Sequence, residues 1–393
     1  MRRNSTQWWF GFGPRAFRAL AGALAAVLWL LAVPASAEGG RDASGLDPSD
    51  IGGWELPRGD LYAVTARGDN VWAVGYWGTV LRSTDGGATF DYGSTPTRET
   101  LFGVSFADDR TGWAVGSRGT LLKSSDGGAT WSEQVARVKD EFGDEVVWNT
   151  GLFGVSAVSP TEAWAVGDLG VVLHTRDGGQ RWEKVSIPAE SLPDENLLER
   201  IFNAVDFTDA SSGWIAGEFG TLLRTSDGGQ TWVGQRELQG VSEEPYLFNL
   251  SVTPAKADSE AALATVGLAG TVLFSEDGGR TWAGRPVPTR AGLYAIANRG
   301  RSAVAAGDRG VIFVTSDAGA TWKEAGRPRI FGWLGGVAYA DDTHVFVVGA
   351  GGAIWRSEDG GRSFAAVGKA NRAIPERGTD TAAAEAARSG QGE

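Results

Sequence analysis

The octapeptide SSDGGATW at residues 124–131 decides the fold, because the chain writes it seven times. The other copies are STDGGATF from residue 83, TRDGGQRW from 175, TSDGGQTW from 225, SEDGGRTW from 275, TSDAGATW from 315 and SEDGGRSF from 357. Their aspartates, Asp85, Asp126, Asp177, Asp227, Asp277, Asp317 and Asp359, are spaced by 41, 51, 50, 50, 40 and 42 residues. Upstream of each lies a second phrase, clearest as VWAVGYWGTVLRS, GWAVGSRGTLLKS, AWAVGDLGVVLHT and GWIAGEFGTLLRT, and further upstream a third apolar segment such as LFGVSF from residue 101. Each unit therefore reads strand, turn, strand, Gly-x-x-Gly turn, strand, octapeptide, strand, with no room for helices. A unit of this length is too long for one coil of a β-solenoid. Four antiparallel strands repeated seven times predict an all-β fold, a seven-bladed β-propeller whose radial closure leaves only short edges exposed.

The octapeptide then spans the turn between the third and outermost strands. Its Asp can accept backbone N–H bonds within the turn, and the Ser or Thr two residues earlier can bond the turn again. The second Gly is expected to supply a positive φ, since Asp317-Ala318-Gly319 loses the first Gly and keeps the second. One copy per blade cannot line one active site, so all seven aspartates are read as structural.

The chain outside the repeats divides simply. Arg2, Arg3, Arg15 and Arg18 precede or flank the apolar run Ala19 to Val33, and Ala35-Ser36-Ala37 fits a cleavage site, so residues 1–37 are expected to be a secretory signal peptide. Residues 38–52 read as a linker, 53–368 as the propeller and 369–393 as a disordered tail. The first 37 residues hold four of the 36 basic and none of the 48 acidic residues, leaving the remainder at −16. That balance speaks against nucleic acid as a partner. With no Cys there is no lipidated N-terminus or thiolate metal site, and the expectation is a soluble, exported, periplasmic monomer without cofactor or metal. Two segments compete to close the ring, Gly53-Trp54-Glu55-Leu56 and Phe364 to Val367.

S-x-D-x-G-x-T-W is the Asp-box, or bacterial neuraminidase repeat. Combined with W-A-V-G-x-x-G-T-L-L-R-S, it resembles the photosystem II assembly/stability factor family of propellers, from about Leu61 to Phe364. The resemblance implies a non-catalytic factor that binds a protein client through a propeller face. The client implied is a membrane protein, such as a photosystem component or, for relatives outside photosynthesis, an RND-type exporter.

The Gly-x-x-Gly turns and the blade-to-blade connections share one face, called the top. Its long connections, between blades 2 and 5, are where binding residues are expected. Two charged halves are expected there. The acidic half comprises Asp144, Glu145, Asp168, Asp194, Glu195 and Glu218, with Asp140, Glu141, Glu190, Glu199, Glu243 and Glu244 beside them. The basic half comprises Arg98, Arg118, Arg285, Arg290, Arg309, Arg327 and Arg329. Tyr76, Trp77, Phe142, Trp148, Phe219, Tyr246, Phe331 and Trp333 add the residue types of binding hot spots, with Trp148 and Trp333 placed to plug the channel mouth. A second series, Arg82, Lys123, His174, Arg224 and Arg356, sits just before the octapeptide and is expected to cover the blade edge with long stems.

The alternative is a glycan-binding protein or a glycoside hydrolase of sialidase-like Asp-box type. Its best carboxylate pair is Asp168 and Glu218. The Phe-Arg-Ile-Pro signature of sialidases is absent, and neither His174 nor His344 has companions for a catalytic triad or a zinc site.

Overall fold

The computed structural model describes residues 59–139, 143–192, 200–235, 238–241, 244–255, 260–327 and 330–367. Seven sheets of antiparallel strands follow one another in chain order, each running from an inner first strand to an outer fourth. Blade 1 is Leu61–Arg67, Asn70–Gly75, Val80–Ser83 and Asp91–Tyr92; blade 7 is Leu334–Tyr339, Val345–Gly349, Ile354–Ser357 and Ala365–Ala366. The fold is the seven-bladed propeller that the repeat predicts. Two strand pairings lie outside the repeat: a hairpin of Arg137–Lys139 with Glu145–Val147, and Leu238–Gln239 added in parallel to the outer strand of blade 5. Among the described residues no helix is long and apolar enough to cross a membrane.

The core lies between blades rather than inside any one of them. Seven apolar clusters fill the seven interfaces; the one between blades 1 and 2 joins Trp72, Val74 and Val80 to Leu101, Phe106 and Trp131. The second strand contributes to every one of these clusters from both of its faces, because it is flanked by strands on both sides and by blades on both faces. Gly112–Gly116 and Val345–Gly349 are buried along their whole length. Truncating a fully buried indole such as Trp113 or Trp164 to Ala would cost roughly 3–5 kcal/mol.

Each octapeptide locks one corner of a blade. In blade 2, Ser124 Oγ donates to Asp126 Oδ1 (2.9 Å) and accepts from Gly128 N (2.8 Å). Asp126 in turn accepts from Thr130 N (2.9 Å) and Thr130 Oγ1 (2.7 Å). Burial opposes ionisation of Asp85, yet the bonds from Thr89 and Ser83 hold its carboxyl down at about 2. The first Gly N–H donates to the neighbouring bottom turn, as Gly127 does to Arg110 O (2.8 Å). Both glycines take positive φ, not only the second, and Ala318 occupies the first position at φ 56°. What makes the second Gly indispensable is proximity. A Cβ on Gly128 would stand 2.8 Å from the Trp72 ring of the preceding blade, and one on Gly229 would stand 2.2 Å from Trp164.

The basic series before the octapeptide does not cover an outer edge, as its sequence position suggests. It runs across the blade faces, because residues paired across strands two and three point the same way. Lys123 lies 4.9 Å from the Trp113 ring centroid and donates to Gly178 O (2.9 Å) of the next blade. His174 stacks on Trp164 at 3.6 Å, and burial, with Arg176 nearby, pushes its imidazole down to about 3.

The ring is closed by Ala365–Ala366, which pairs with Trp355 and Arg356 as the fourth strand of blade 7. Gly53 to Leu56, the competing segment, lies outside the described residues, as do residues 1–52 and 369–393. At the seam between blades 7 and 1, Asp60 Oδ1 accepts from Gly351 N at 2.8 Å. Beside it Leu61, Val71 and Phe90 pack on Phe346, Val348 and Ile354.

Candidate functional site: the top mouth of the channel

The seven first strands surround a central cavity of about 710 Å³ lined by residues from every blade. All seven carry a bulge at their second residue, where the pairing register with the second strand slips. A bulge re-aims the side chain it carries. The seven residues so placed are Tyr62, Phe102, Phe153, Asn203, Phe248, Tyr294 and Gly335, and all are partly exposed. Tyr62 packs edge-on to Phe102 (5.4 Å) and against Trp333 (5.1 Å), Phe102 against Phe153 (5.4 Å), and Phe248 edge-on to Tyr294 (5.5 Å). Asn203 breaks the ring of aromatics and donates to Leu247 O (2.8 Å). An aromatic collar thus rims the upper end of the channel. The sequence carried this signal in the second residue of each LYAV- or LFGV-like segment, which by composition alone reads as core.

Around the collar stand the Gly-x-x-Gly turns. Their third residues adopt the left-handed region at φ 52–57°: Trp77, Arg118, Leu169, Phe219, Ala269 and Arg309. That region is uncommon for any non-Gly residue and costs about 1–2 kcal/mol for each. The following Gly lies beneath the incoming connection; Gly170 N, for example, donates to Arg200 O at 2.9 Å. The strained residues stand up from the face. Trp77 is 48 % exposed and Leu169 45 %, while the Arg118 and Arg309 side chains are over four-fifths exposed.

The basic half is smaller than the sequence suggests. Arg98 (5.9 Å from the Trp77 ring), Arg118 (3.5 Å from Glu99), Arg309 (3.3 Å from Asp308) and the exposed Arg290 belong to the top turns and connections. Arg285 and Arg327 do not share that surface. Arg285 N bonds Val272 O, so Arg285 continues the outer strand, and its stem lies where a Cβ on Gly319 of the next blade would be 2.8 Å away. Its guanidinium turns to Glu276 (4.0 Å) of its own octapeptide. Arg327 is only 12 % exposed and pairs with Glu324 at 3.0 Å. Arg329 lies outside the described residues.

The acidic half is not one exposed surface either. Asp144 and Glu145 are exposed on the hairpin between blades 2 and 3, with Glu145 3.9 Å from Arg137. Asp168 and Glu218 instead brace the entry of the first strands. Asp168 accepts from Gly151 N (2.9 Å), and burial raises its carboxyl. Burial pushes Glu218 up to about 7, opposed by a bond from the Ile201 backbone, while nearby Asp168 adds to the rise. Asp194 and Glu195 lie outside the described residues, as do Asp140, Glu141, Phe142, Glu199 and Glu243.

Sequence reading also missed Arg200, which is 1 % exposed. It donates to Glu218 O (3.1 Å) and Thr221 Oγ1 (2.6 Å) and lies 5.4 Å from the Phe219 ring centroid. Nothing in a connection of mixed charge distinguishes it. Of the two tryptophans expected at the mouth, Trp333 stacks on the collar. Trp148 instead packs on the core between blades 2 and 3, with Lys184 5.6 Å above its ring. Among the described residues no group of three or more His, Cys, Asp or Glu could hold a metal.

The described residues thus form a propeller with a rimmed channel and left-handed residues raised on its top turns. The family model described as "Photosynthesis system II assembly factor YCF48" matches residues 93–198 and 192–328, more than half of the chain. The chain belongs to that family. Among solved structures, "YCF48 bound to D1 peptide" is 23% identical at a TM-score of 0.53, covering 70% of this chain and 82% of that one. YCF48 from Cyanidioschyzon merolae gives the same identity, score and coverage of this chain, and 88% of its own. A GH74 xyloglucanase from Xanthomonas campestris is 14% identical at a TM-score of 0.59, with 80% of this chain and 55% of that enzyme aligned. At these identities the likeness to solved structures is one of fold. No curated protein matches the chain.

Proposed function

We propose that this protein is an exported, non-catalytic binding factor that receives an extended segment of a membrane-protein client on its top face. The aromatic collar, set out by seven bulges, is the observation that carries the reading. Aromatic rings with arginines nearby are the composition of binding hot spots, and rigid rings lose little entropy on contact. Tyr62, Phe102, Phe153 and Trp333 would form the floor of the site, with Arg98, Arg118, Arg290 and Arg309 steering acidic or carboxylate groups from the rim. Family membership supports the class of partner, since one solved relative is described as bound to a peptide. The carboxylates Asp168 and Glu218 are engaged by backbone N–H groups of arriving strands, which supports a bracing role over glycoside chemistry.

The test is affinity capture of the protein from its host's envelope, with mass spectrometry of what is retained. A parallel bait carries Phe102→Ser and Phe153→Ser. Enrichment of one membrane protein by the wild type and its loss with the variant is expected. Equal retention by both baits would sink the collar. Aromatic collars also stack sugars, and the xyloglucanase shares the fold. Capture of glycans but no protein would favour that second reading.

A further inference from the structure

Inside the channel one bond recurs between neighbouring inner strands. The side chain of the fifth residue of a first strand accepts from the backbone N–H of the sixth residue of the next. Ser105 Oγ accepts from Ala157 N, Ser156 Oγ from Phe207 N and Ser251 Oγ from Asn298 N, each at 3.0 Å. Between blades 4 and 5 the acceptor is Asp206 Oδ2, also 3.0 Å from Val252 N. A hydroxyl suffices for this bond in the other three places. At Asp206 the carboxyl brings a second oxygen and a charge that the bond does not use.

That charge stands where it is costly. Burial pushes the Asp206 carboxyl up to about 7, against bonds from the Val252 and Phe207 backbone. Asp206 makes no ion pair among the described residues. It nevertheless keeps accessible surface, half-buried in the wall of the central cavity of about 710 Å³. Such a volume accommodates a small organic molecule. The other ionisable groups described in that wall are Arg299, Tyr339 and Asp342. Arg299 and Asp342 pair with one another, and burial pushes the Tyr339 phenol up to about 12, so none of the three neutralises Asp206. Up the same strand, about 10 Å away at three residues' rise, Asn203 stands in the aromatic collar. The faces of the collar rings attract cations.

We infer that the channel is a binding site for a primary ammonium group on an alkyl stem, paired with the Asp206 carboxylate. The ammonium donates to the oxygen that Val252 leaves unused, a charge-assisted bond that offsets the cost of burying the carboxylate. Its stem rises toward the collar. The group can come from a free amine or from a lysine side chain of the client, and only the lysine source rests on the client proposed above.

Isothermal titration of the full chain with n-butylamine tests it, beside the neutral n-butanol. Saturable binding is expected for the amine at pH 8 and none for the alcohol. The amine stays protonated between pH 6 and 8 while Asp206 ionises, so its affinity should rise about tenfold across that range. Asp206→Ser installs the hydroxyl of the other three blades and keeps an acceptor for Val252 N. That variant and Asp206→Asn should each weaken binding by about tenfold or more. A Gly-Ser peptide with one central lysine separates the sources: its binding extends the site to a lysine side chain, and binding of the amine alone confines it to free amines. Saturable binding of neither probe overturns the proposal, as do equal binding of n-butanol and unchanged affinity in either folded variant. Should both variants fail to fold, an affinity that stays constant from pH 6 to 8 overturns it. Amine binding without capture of a membrane protein would sink the client reading alone.

Discussion

The two faces of the ring follow opposite rules. On the bottom, seven copies of one turn repeat the same bonds, the Asp carboxylate accepting from the Ser or Thr hydroxyl two residues earlier and from the turn backbone. On the top, the seven Gly-x-x-Gly turns share a backbone, but the left-handed residue at the third position is Trp, Arg, Leu, Phe, Ala, Arg or Gly. A backbone kept constant while its side chains vary marks the turn as structural and leaves its exposed residues free to differ from blade to blade. The contrast separates the two faces more sharply than charge does, because several expected surface charges prove to be braces or blade contacts.

Four experiments would break or sharpen that contrast. The largest effect is expected from Gly229→Ala, whose methyl would meet Trp164 at 2.2 Å with the backbone at φ 77°. Overpacking and a disfavoured φ together should cost about 3–4 kcal/mol in urea unfolding. Asp126→Ala removes the acceptor of three bonds, and a loss of about 2 kcal/mol should appear in the same measurement without change in client capture. A loss of capture there would mean that the bottom face is also a binding surface.

The third experiment uses pH. Burial pushes Asp206, on the inner strand of blade 4, up to about 7, although the Val252 backbone N–H bonds it at 3.0 Å. A carboxyl raised in the folded state holds its proton there while the unfolded chain ionises, so its contribution is lost as pH rises from about 4 to 7. Asp206→Asn should therefore gain on the wild type between pH 5 and 8, by on the order of 2 kcal/mol, in paired unfolding curves. The bottom turns have the opposite sign. The carboxyls of Asp85 and Asp317 are held down at about 2, so their contribution is complete above about 4 and fades as pH falls toward 2. The smallest effect is a gain. Leu169→Gly relieves a left-handed residue on the top and should raise stability by about 1 kcal/mol while weakening client capture. If capture survives, Leu169 is not part of the recognition surface.

The repeat made the blade count, strand order and hydrogen-bonding role of the octapeptide legible, since each depends on local spacing and turn chemistry. Sequence could not show where side chains of equal type point. Arg118 and Arg285 look alike in a loop, yet one stands on a strained turn and the other lies along an outer strand. The collar was hidden for a related reason. Strand alternation assigns Phe102 and Phe153 by parity, and a bulge overrides parity without leaving a residue type that announces it.

The seam at Asp60 and Gly351 has a consequence for how such rings can be rearranged. Blade 1 and blade 7 each take all four of their strands from one end of the described chain, so neither borrows a strand from the other. Six junctions are covalent and the seventh is an ordinary interface sealed by the Leu61–Phe346 packing and the Asp60 bond. No blade is privileged as the starting point. A circular permutant opened at any other junction would inherit every sheet intact, and copying or deleting one blade would change the circumference without orphaning a strand.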